Sequence, residues 1–301
     1  QEKNYTDEHG IPQTTQRSQT EGITKILILN DPSLIATASV DKTICVWDLS
    51  SNDPPQKLEG HTSSVWSLFE DKNGRLFSGS SDKTIRVWEN PERGGSCVAT
   101  LKGHKGTVYA IEMTKDKLLI SGSNDRTIKM WGPGTKSMFE CISTVNMGAT
   151  TTCIGILVDN YIVCGGDDNK VKLIDLKKNK IAGTLEGHGC TIWNMAIFND
   201  NIHLATASSD NSIKVWNLNT LKCEYSLEGH RNTVSSVRIL KNGMLASSSW
   251  DGTIKFWNLS TKLCVCTIKA HKGNVYDLVE TDDGKIITCS DDKDIKIWEC
   301  K

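Results

Sequence analysis

Residues 60–88 read GHTSSVWSLFEDKNGRLFSGSSDKTIRVW, and this stretch decides the fold of the chain. A glycine–histidine pair opens it, and Asp82 stands six residues before the closing Trp88. The same interval recurs five more times, and a seventh aspartate, Asp168, stands six residues before Ile174. Successive anchors lie 41 to 43 residues apart, and a fixed period of this length indicates a repeat architecture. The other five pairs are Asp41 with Trp47, Asp125 with Trp131, Asp210 with Trp216, Asp251 with Trp257, and Asp292 with Trp298.

Each unit is predicted to contain four short β-strands. Asn73-Gly74 is a hairpin signal between two apolar runs, and residues 85–87 alternate as a half-buried strand does. The middle strand, such as LLISGS at 118–123, has no polar alternation, so both of its faces should be covered. A fourth strand is expected in the link before the next Gly-His, as at 97–102, 180–186, 223–228 and 264–269. Four-stranded units that cannot bury their faces alone must stack, and stacked radially they form a β-propeller.

The composition of the chain indicates which classes of binding partner and which cellular compartment to expect. The chain has 301 residues, which seven such units nearly fill, and a formal net charge of −1. We therefore expect a single domain that binds neither nucleic acid nor a membrane, since it has no global basic field and no apolar run of about 18 residues. Eleven cysteines, mostly inside predicted strands, resemble small buried hydrophobes more than a disulfide framework. An intracellular location, cytoplasmic or nuclear, is predicted.

The Gly-His, Ser-x-Asp and Trp arrangement resembles the WD-repeat family of β-propellers over about residues 14–301. The resemblance implies an all-β, seven-bladed propeller in which an N-terminal strand completes the last blade. On this basis residues 14–301 form the propeller, residues 14–20 form the outer strand of blade 7, and residues 1–13 form a flexible arm.

The resemblance also implies a buried polar network in each regular blade. The buried indole N–H of the tryptophan needs a hydrogen-bond acceptor. A hydroxyl and an imidazole can each accept one hydrogen bond and donate another, and the carboxylate is the final acceptor of the network. The expected members are His61, Ser80, Asp82 and Trp88; His104, Ser123, Asp125 and Trp131; His188, Ser208, Asp210 and Trp216; His230, Ser249, Asp251 and Trp257; and His271, Ser290, Asp292 and Trp298.

Two units depart from this pattern. Blade 1 keeps the Ser, Asp and Trp, but its segment 20–23 contains no histidine. Blade 4 keeps only Asp168, and the residues counted at its His, Ser and Trp positions are Ala149, Gly166 and Ile174. Blade 4 should therefore lack the network. It is either a degenerate repeat carried by its neighbours or a partner-docking blade.

No catalytic, metal or cofactor site is predicted. Five of the seven histidines occupy the Gly-His position, where the fold accounts for them. His9 and His203 have no companion at metal-ligand spacing, and no nucleophile-elbow, phosphate-loop or zinc-protease motif is present.

In the WD-repeat family, one mouth of the central channel is lined by two positions of each blade. The first lies five residues after the histidine and corresponds to Trp66, Tyr109, Ile154, Trp193, Ser235 and Tyr276, with Lys25 as the counterpart in blade 1. The second lies one residue before the aspartate and corresponds to Val40, Ser81, Asn124, Asp167, Ser209, Trp250 and Asp291.

This mouth is the candidate binding surface. Convergent exposed aromatics suit a peptide, and aromatic faces beside carboxylates suit a cation such as Lys, Arg or a methylated amine. The absence of Arg argues against a phosphopeptide pocket built on an arginine cluster, although basic residues after the turn aspartates can form an outer rim. Alternatively, each aromatic packs against its neighbouring blade. The candidate residues are Trp66, Tyr109, Trp193, Trp250, Tyr276, Asp167, Asp291 and Lys25.

The predicted function is a non-catalytic protein-interaction scaffold that captures peptide segments or partner domains on this aromatic and acidic mouth. The partners would be proteins or peptides, including Lys- or Arg-containing ones, and the chain would act as a monomeric ring within a larger complex. Alternatives are a substrate-recognition propeller of a ubiquitin ligase complex, suggested by the compact loop at 114–117, and a reader of basic or methylated peptides.

Overall fold

The repeats fold into blades of a ring. The computed structural model describes residues 14–16, 18–51, 53–134, 138–158 and 160–299. In these ranges the chain forms seven four-stranded antiparallel sheets, and the only helix is a short 3-10 turn at Pro91–Arg93. The all-β, seven-bladed propeller is therefore confirmed. The arm predicted for residues 1–13 lies outside the described residues.

The strands follow the repeat in chain order, each blade running from the channel outward. After β1 (Thr14–Gln16), blade 1 contains β2 (Ile23–Ile28), β3 (Leu34–Ser39), β4 (Ile44–Asp48) and β5 (Gln56–Leu58). Blade 2 contains β6 (Val65–Glu70), β7 (Leu76–Ser80), β8 (Thr84–Glu89) and β9 (Ser96–Lys102), and blade 3 contains β10 (Val108–Met113), β11 (Leu119–Ser123), β12 (Thr127–Gly132) and β13 (Glu140–Asn146).

Blades 4 to 7 repeat the same order. Blade 4 contains β14 (Thr151–Ile156), β15 (Tyr161–Gly166), β16 (Val171–Asp175) and β17 (Lys180–Leu185). Blade 5 contains β18 (Ile192–Ile197), β19 (His203–Ser208), β20 (Ser212–Asn217) and β21 (Lys222–Glu228). Blade 6 contains β22 (Val234–Ile239), β23 (Leu245–Ser249), β24 (Thr253–Asn258) and β25 (Leu263–Lys269), and blade 7 contains β26 (Val275–Glu280), β27 (Ile286–Ser290) and β28 (Ile295–Trp298).

Blade 7 is completed by the N-terminal strand. β1 pairs antiparallel with β28, with Thr14 opposite Ile297 and Gln16 opposite Ile295. The two ends of the chain therefore share one sheet, which closes the ring. The outer strand covers only 14–16, which is shorter than the predicted 14–20, because Ser18–Thr20 have left the sheet.

A tight turn follows the second strand of each regular blade. In blade 2, Asp82 Oδ1 accepts the backbone N–H of Thr84 at 3.0 Å and its hydroxyl at 2.6 Å. Lys83 has a φ of 72° and donates its N–H to Ser80 O at 3.1 Å. The short carboxylate thus holds a left-handed residue in place, which few residue types other than Gly and Asn adopt readily. The left-handed residues at this turn position, one for each of blades 1 to 7, are Lys42, Lys83, Arg126, Asn169, Asn211, Gly252 and Lys293.

A hydrogen-bonded relay runs from this turn into the core of the blade. In blade 3, His104 Nδ1 lies 2.8 Å from Asp125 Oδ2, and His104 Nε2 lies 2.7 Å from Ser121 Oγ. Trp131 Nε1 donates to the same Ser121 Oγ at 2.8 Å. The carboxylate accepts, so the proton of the neutral ring is on Nδ1, and Nε2 accepts from the hydroxyl. The equivalent hydroxyls in blades 2, 5, 6 and 7 are those of Ser78, Thr206, Ser247 and Thr288.

The serine predicted for this relay is wrong in every regular blade. The hydroxyl lies two residues earlier, and residues two apart on a strand share a face, so the sequence pattern cannot separate them. Register decides between them: Trp131 pairs with Leu119, which places Ser121 diagonally beside the indole and Ser123 two residues beyond it. The later hydroxyl instead accepts the backbone N–H of the turn aspartate, at about 3.0–3.1 Å. The displaced members are Ser80, Ser123, Ser208, Ser249 and Ser290.

Blade 1 uses an amide where the other blades use an imidazole. Gln19 is only 2% exposed, and its Oε1 accepts the hydroxyl of Thr37 at 2.9 Å. Thr37 Oγ1 in turn accepts Trp47 Nε1 at 2.9 Å. The neighbouring Thr20 donates its N–H to Asp41 at 2.8 Å, as the residue after each network histidine does. Gln19 was missed because it has no preceding glycine and no imidazole to reveal it.

Blade 4 has no tryptophan–histidine relay, as its sequence predicts. In every regular blade the residue before the turn aspartate donates its N–H to the carbonyl three residues after the histidine, as Asn124 does to Thr107 O. In blade 4 the same bond runs from Asp167 to Thr150 O, which places Met147 at the histidine position. The assignment of Ala149 to this position is therefore wrong by two residues. The ammonium of Lys172 takes the place of the imidazole, since it lies 2.5 Å from Asp168 Oδ2 and 2.6 Å from Met147 O.

The corrected relay can be tested with two neighbouring serines. Ser121→Ala leaves a buried indole N–H and an imidazole without their shared partner, and should lower the free energy of unfolding by about 1–3 kcal/mol. Ser123→Ala keeps the relay and should cost less. Urea denaturation of both variants measures the difference, and a larger loss for Ser123→Ala would contradict the assignment.

The tryptophan itself should contribute most. Trp131 is 2% exposed, and Trp131→Ala should destabilise the ring by about 3–5 kcal/mol because it leaves a large cavity beside unpaired polar groups. A melting temperature equal to that of the wild type would contradict the role of the relay.

Acidification should lower the free energy of unfolding in two stages. Burial lowers the pKa of His104 and His230, although their aspartate partners oppose this. Burial alone would raise the pKa of Asp125, but hydrogen bonds from Thr127, the N–H of Lys105 and His104 outweigh it and lower this pKa to about 2. Both kinds of group bind protons more readily in the unfolded chain, so their stabilisation is complete only above its pKa values.

The free energy of unfolding should begin to fall below about pH 6.5, where histidines of the unfolded chain become protonated. It should fall more steeply between about pH 4 and pH 2, where the aspartates become protonated. Chemical denaturation at a series of pH values measures it. Glu112→Gln is the background for this test, because burial raises the pKa of the Glu112 carboxyl to about 7 and its protonation would add stability on acidification. In that background, a free energy of unfolding that rises on acidification from neutral pH would show that these groups are not held as described.

Candidate functional site

The mouth of the channel is built on a β-bulge in the inner strand of every blade. In blade 2, the pairing of β6 with β7 shifts register between Val65 and Ser67, so Trp66 stands outside the ladder. Such a bulge re-aims one side chain without ending the strand. The seven bulge residues are Thr24, Trp66, Tyr109, Thr152, Trp193, Ser235 and Tyr276.

Two members of the predicted first mouth set are therefore wrong. Lys25 is one residue beyond the bulge and pairs with Ala38, and Ile154 is two residues beyond it and is 7% exposed. Both errors come from counting in blades that lack the histidine. The true counterparts, Thr24 and Thr152, donate their hydroxyls to the first inner-strand carbonyl of the following blade and so join neighbouring blades.

The five mouth aromatics form two groups. Trp66 and Tyr109 form the blade 2–3 pair, with ring centroids 5.7 Å apart and an edge-to-face angle of 63°. The blade 5–7 cluster consists of Trp193, Trp250 and Tyr276; Trp250 lies 5.8 Å from Trp193 and 6.1 Å from Tyr276. All five are partly exposed. The small bulge residues of blades 1 and 4 separate the two groups, which therefore face each other across the mouth.

Hydrogen bonds hold two of the three mouth indoles. Trp66 Nε1 donates to Ser81 Oγ at 2.9 Å, and Trp193 Nε1 donates to Ser209 Oγ at 2.7 Å. Trp250 itself occupies the position of those serines in blade 6, and its buried Nε1 has no partner in the described part of the chain. An unsatisfied buried donor is energetically costly, so the Trp250 ring is the least stabilised of the three in its position.

The two mouth carboxylates lie on different blades. Asp291 and Tyr276 belong to blade 7, and burial and then the charge of Asp291 raise the pKa of the Tyr276 phenol. Asp167 is exposed on blade 4, and its Oδ1 accepts the backbone N–H of Thr150 at 2.9 Å. Asp291 thus shares blade 7 with Tyr276 of the blade 5–7 cluster, and Asp167 lies on the blade that precedes blade 5.

Below the mouth, the channel contains a cavity of about 700 Å³ that both aromatic groups line. Asp277, 1% exposed, joins blades 6, 7 and 1 there: it bonds Lys25 at 2.8 Å, Ser236 Oγ at 2.6 Å and Ile26 N at 3.4 Å. Burial would raise the pKa of Asp277, but Lys25 and Arg238 outweigh it and lower it. Lys25 is thus paired with Asp277 at a seam of the ring, and it also lines the cavity. No sequence pattern marks Asp277 apart from its place directly after the mouth aromatic Tyr276.

Glu112 lines the same cavity on blade 3. Burial raises its pKa to about 7, against the opposing effect of Lys25 and Arg238 across the channel. The charge inside the channel therefore depends on the protonation of Glu112 near neutral pH.

The histidine–aspartate pairs have a structural role within the blades. The five network histidines are at most 7% exposed, and both ring nitrogens of each are bonded within the blade. Among the described residues, no group of three or more His, Cys, Asp or Glu side chains could hold a metal ion. Within the same ranges, no helix is both long and apolar enough to cross a membrane.

Comparison with known proteins agrees with this architecture. The family described as "WD domain, G-beta repeat" matches residues 10–48, 52–89, 95–132, 179–217, 221–258 and 262–299, which is more than half of the chain. Blade 4, where the relay is missing, is the blade left unmatched. The WD40 propeller of Doa1 superposes with a TM-score of 0.85 over 96% of this chain and 97% of that one, at 22% identity, which shows the shared fold.

Curated relatives match over shorter stretches. Human pre-mRNA-processing factor 19 is 38% identical over 56% of this chain and 33% of its own length. Phospholipase A-2-activating protein of Xenopus laevis is 46% identical over 23% of this chain and 8% of its own length. The chain thus spans a third or less of these relatives.

Propellers of this family generally serve as non-catalytic interaction scaffolds that bind proteins or peptides. The seven sheets, the relay and the matched repeats agree, and the chain belongs to the WD-repeat family of β-propellers.

Proposed function

We propose that this propeller is a non-catalytic scaffold that captures a segment of a partner protein across the aromatic mouth. The observation that carries the proposal is the pair of aromatic groups that face each other over the 700 Å³ cavity. Large rings that are partly exposed and already ordered bury much apolar area at little entropic cost, so they act as anchors in protein interfaces.

The blade 5–7 cluster is the proposed subsite for a Lys, Arg or methylated-lysine side chain. A cation over an aromatic face gains about 0.5–2 kcal/mol, and more when it is shielded from water. Asp291 beside Tyr276 adds a carboxylate to this cluster. Trp250 Nε1 would gain an acceptor if its ring turned toward a carbonyl oxygen of the bound segment.

The ring is proposed to act as a monomer inside a larger assembly and in an intracellular compartment. The relatives named for pre-mRNA processing and cell division control support such a setting. Substrate recognition within a ubiquitin ligase complex is a narrower form of this proposal and would use the same mouth.

Replacing Trp66, Trp193 and Trp250 together by Ala should abolish partner capture from an extract of the native cell, because all three anchors are lost. The ring should still fold, because none of these indoles belongs to a relay. Affinity purification with quantitative mass spectrometry measures capture, and thermal melting measures folding.

The matched control is Leu263→Ala with Val265→Ala, which removes apolar side chains that are 64% and 48% exposed on β25, away from the mouth. This control should capture partners as the wild type does. If the triple variant retains every partner that the control retains, the mouth is not the binding site.

A further inference from the structure

The rim around the mouth carries an uneven charge. Each blade contributes two rim residues, one after the relay histidine position and one after the turn aspartate. Blades 4 and 5 contribute no charge there, with Gly148, Asn169, Gly189 and Asn211. Blades 3 and 7 contribute two cations each, and the others one each. The cations are Lys42, Lys83, Lys105, Arg126, Arg231, Lys272 and Lys293.

Blades 3 and 7 are close copies at the mouth but differ in their carboxylates. Each has a tyrosine at the bulge and two rim cations. In blade 7, Asp291 precedes the turn aspartate, and Lys293 lies 4.0 Å from Glu21. In blade 3 the residue before the turn aspartate is Asn124, and neither rim cation has a carboxylate partner for its side chain within the described residues. With the turn aspartate included, blade 3 carries two cations and one carboxylate, a net of one positive charge, beside the blade 2–3 pair, whereas Asp291 balances that charge in blade 7.

The backbones of the two cationic residues of blade 3 are held by the same turn. The N–H of Lys105 donates to Asp125 Oδ2 at 2.8 Å, and Arg126, with a φ of 67°, is the next residue after Asp125. Gly106 packs so closely on this turn that a Cβ atom there would lie 2.7 Å from Asp125 N. Both backbones are thus fixed before a ligand arrives, which lowers the entropic cost of binding.

Asn124 is tied to the neighbouring blade. Its Oδ1 accepts the hydroxyl of Thr150 at 2.9 Å. A carboxylate oxygen at this position could accept the same bond, so the charge of this position can be changed without loss of the contact.

We propose that Lys105, Arg126 and Asn124, beside Tyr109, form an anion subsite that binds an acidic side chain of the segment captured at the mouth. The proposal rests on the proposed function and assigns the captured segment two charges, an anion at blade 3 and a cation at the blade 5–7 cluster. Carboxylate and phosphate share the chemistry that this subsite recognises, because arginine and lysine bond the oxygens of both.

The experiment uses three short peptides as probes: acetyl-Trp-Glu-Glu-amide, its phosphoserine analogue and its neutral glutamine analogue. Binding to the isotope-labelled chain is followed through the indole signal of Trp66 and the amide signal of Gly106. The glutamate peptide should bind several-fold more tightly than the glutamine peptide and should weaken as salt is added. Tighter binding of the phosphoserine peptide would indicate phosphate as the preferred source, and equal binding would indicate that a carboxylate suffices.

Two variants test the residues. Asn124→Asp introduces a carboxylate at the position that Asp291 occupies in blade 7. It should lower the affinity for the glutamate peptide by about fivefold to tenfold, which corresponds to roughly 1 kcal/mol. Arg126→Asn removes one cation and keeps the turn, since Asn169 and Asn211 occupy the same left-handed position in blades 4 and 5. Asn219→Asp makes the same substitution in the exposed turn between β20 and β21, away from the mouth, so it is the matched control and should leave the Trp66 and Gly106 responses unchanged.

Equal affinity of wild type and Asn124→Asp for the glutamate peptide, or equal affinity of the glutamate and glutamine peptides, would overturn the anion subsite. This result is separable from failure of the proposed function. If the triple tryptophan variant loses its partners while Asn124→Asp binds the glutamate peptide normally, the mouth captures partners and only the anion subsite is wrong.

Discussion

The structure depends on the hydrogen bond from a buried indole to a hydroxyl that also contacts an imidazole. In blade 2, Ser78 Oγ lies 2.8 Å from Trp88 Nε1 and 2.7 Å from His61 Nε2, and the ring continues to Asp82 at 2.7 Å. Each of these groups would be costly to bury alone. Together they tie the third strand to the second and to the loop that enters the blade. The same aspartate then shapes the turn that carries the rim residue.

Because the relay uses both ring nitrogens of each histidine, the most conspicuous chemical groups of the repeat have no capacity left for catalysis. Function is left to the positions that the repeat does not constrain. These are the bulge residue, the residue before the turn aspartate and the left-handed residue after it. The side chains at these positions differ from blade to blade, and those differences produce the two aromatic groups and the uneven rim.

Blades 1 and 4 show that a blade can form a complete sheet with only part of the relay. Blade 1 keeps the tryptophan and the hydroxyl and uses Gln19 to complete the bonds. Blade 4 has lost the tryptophan, and Lys172 satisfies Asp168 instead. In both blades the strands still pair in full sheets. The neighbouring blades and these substitute contacts are sufficient to keep the ring closed.

The period of 41 to 43 residues was enough to predict seven stacked four-stranded blades, because a lone blade cannot bury its faces. The closing N-terminal strand was predicted from the family resemblance. Sequence spacing failed where a count crossed a missing histidine, as for Lys25, Ile154 and Ala149. It also failed between Ser121 and Ser123, since both lie on one face of a strand and only the register distinguishes them. Gln19 and Asp277 act through contacts that are distant in sequence, and no local pattern marks them.

Hydrogen exchange of the nine tryptophan indoles tests the central claim most directly. The account predicts that six indole N–H signals, those of Trp47, Trp88, Trp131, Trp216, Trp257 and Trp298, exchange only through opening of the ring and stay protected for as long as the most stable backbone amides. The signals of Trp66, Trp193 and Trp250 should exchange faster and should be the ones that shift when a captured partner is added. Relay indoles that exchange as fast as the mouth indoles, or that shift on partner binding in their place, would contradict the separation of scaffold from binding surface.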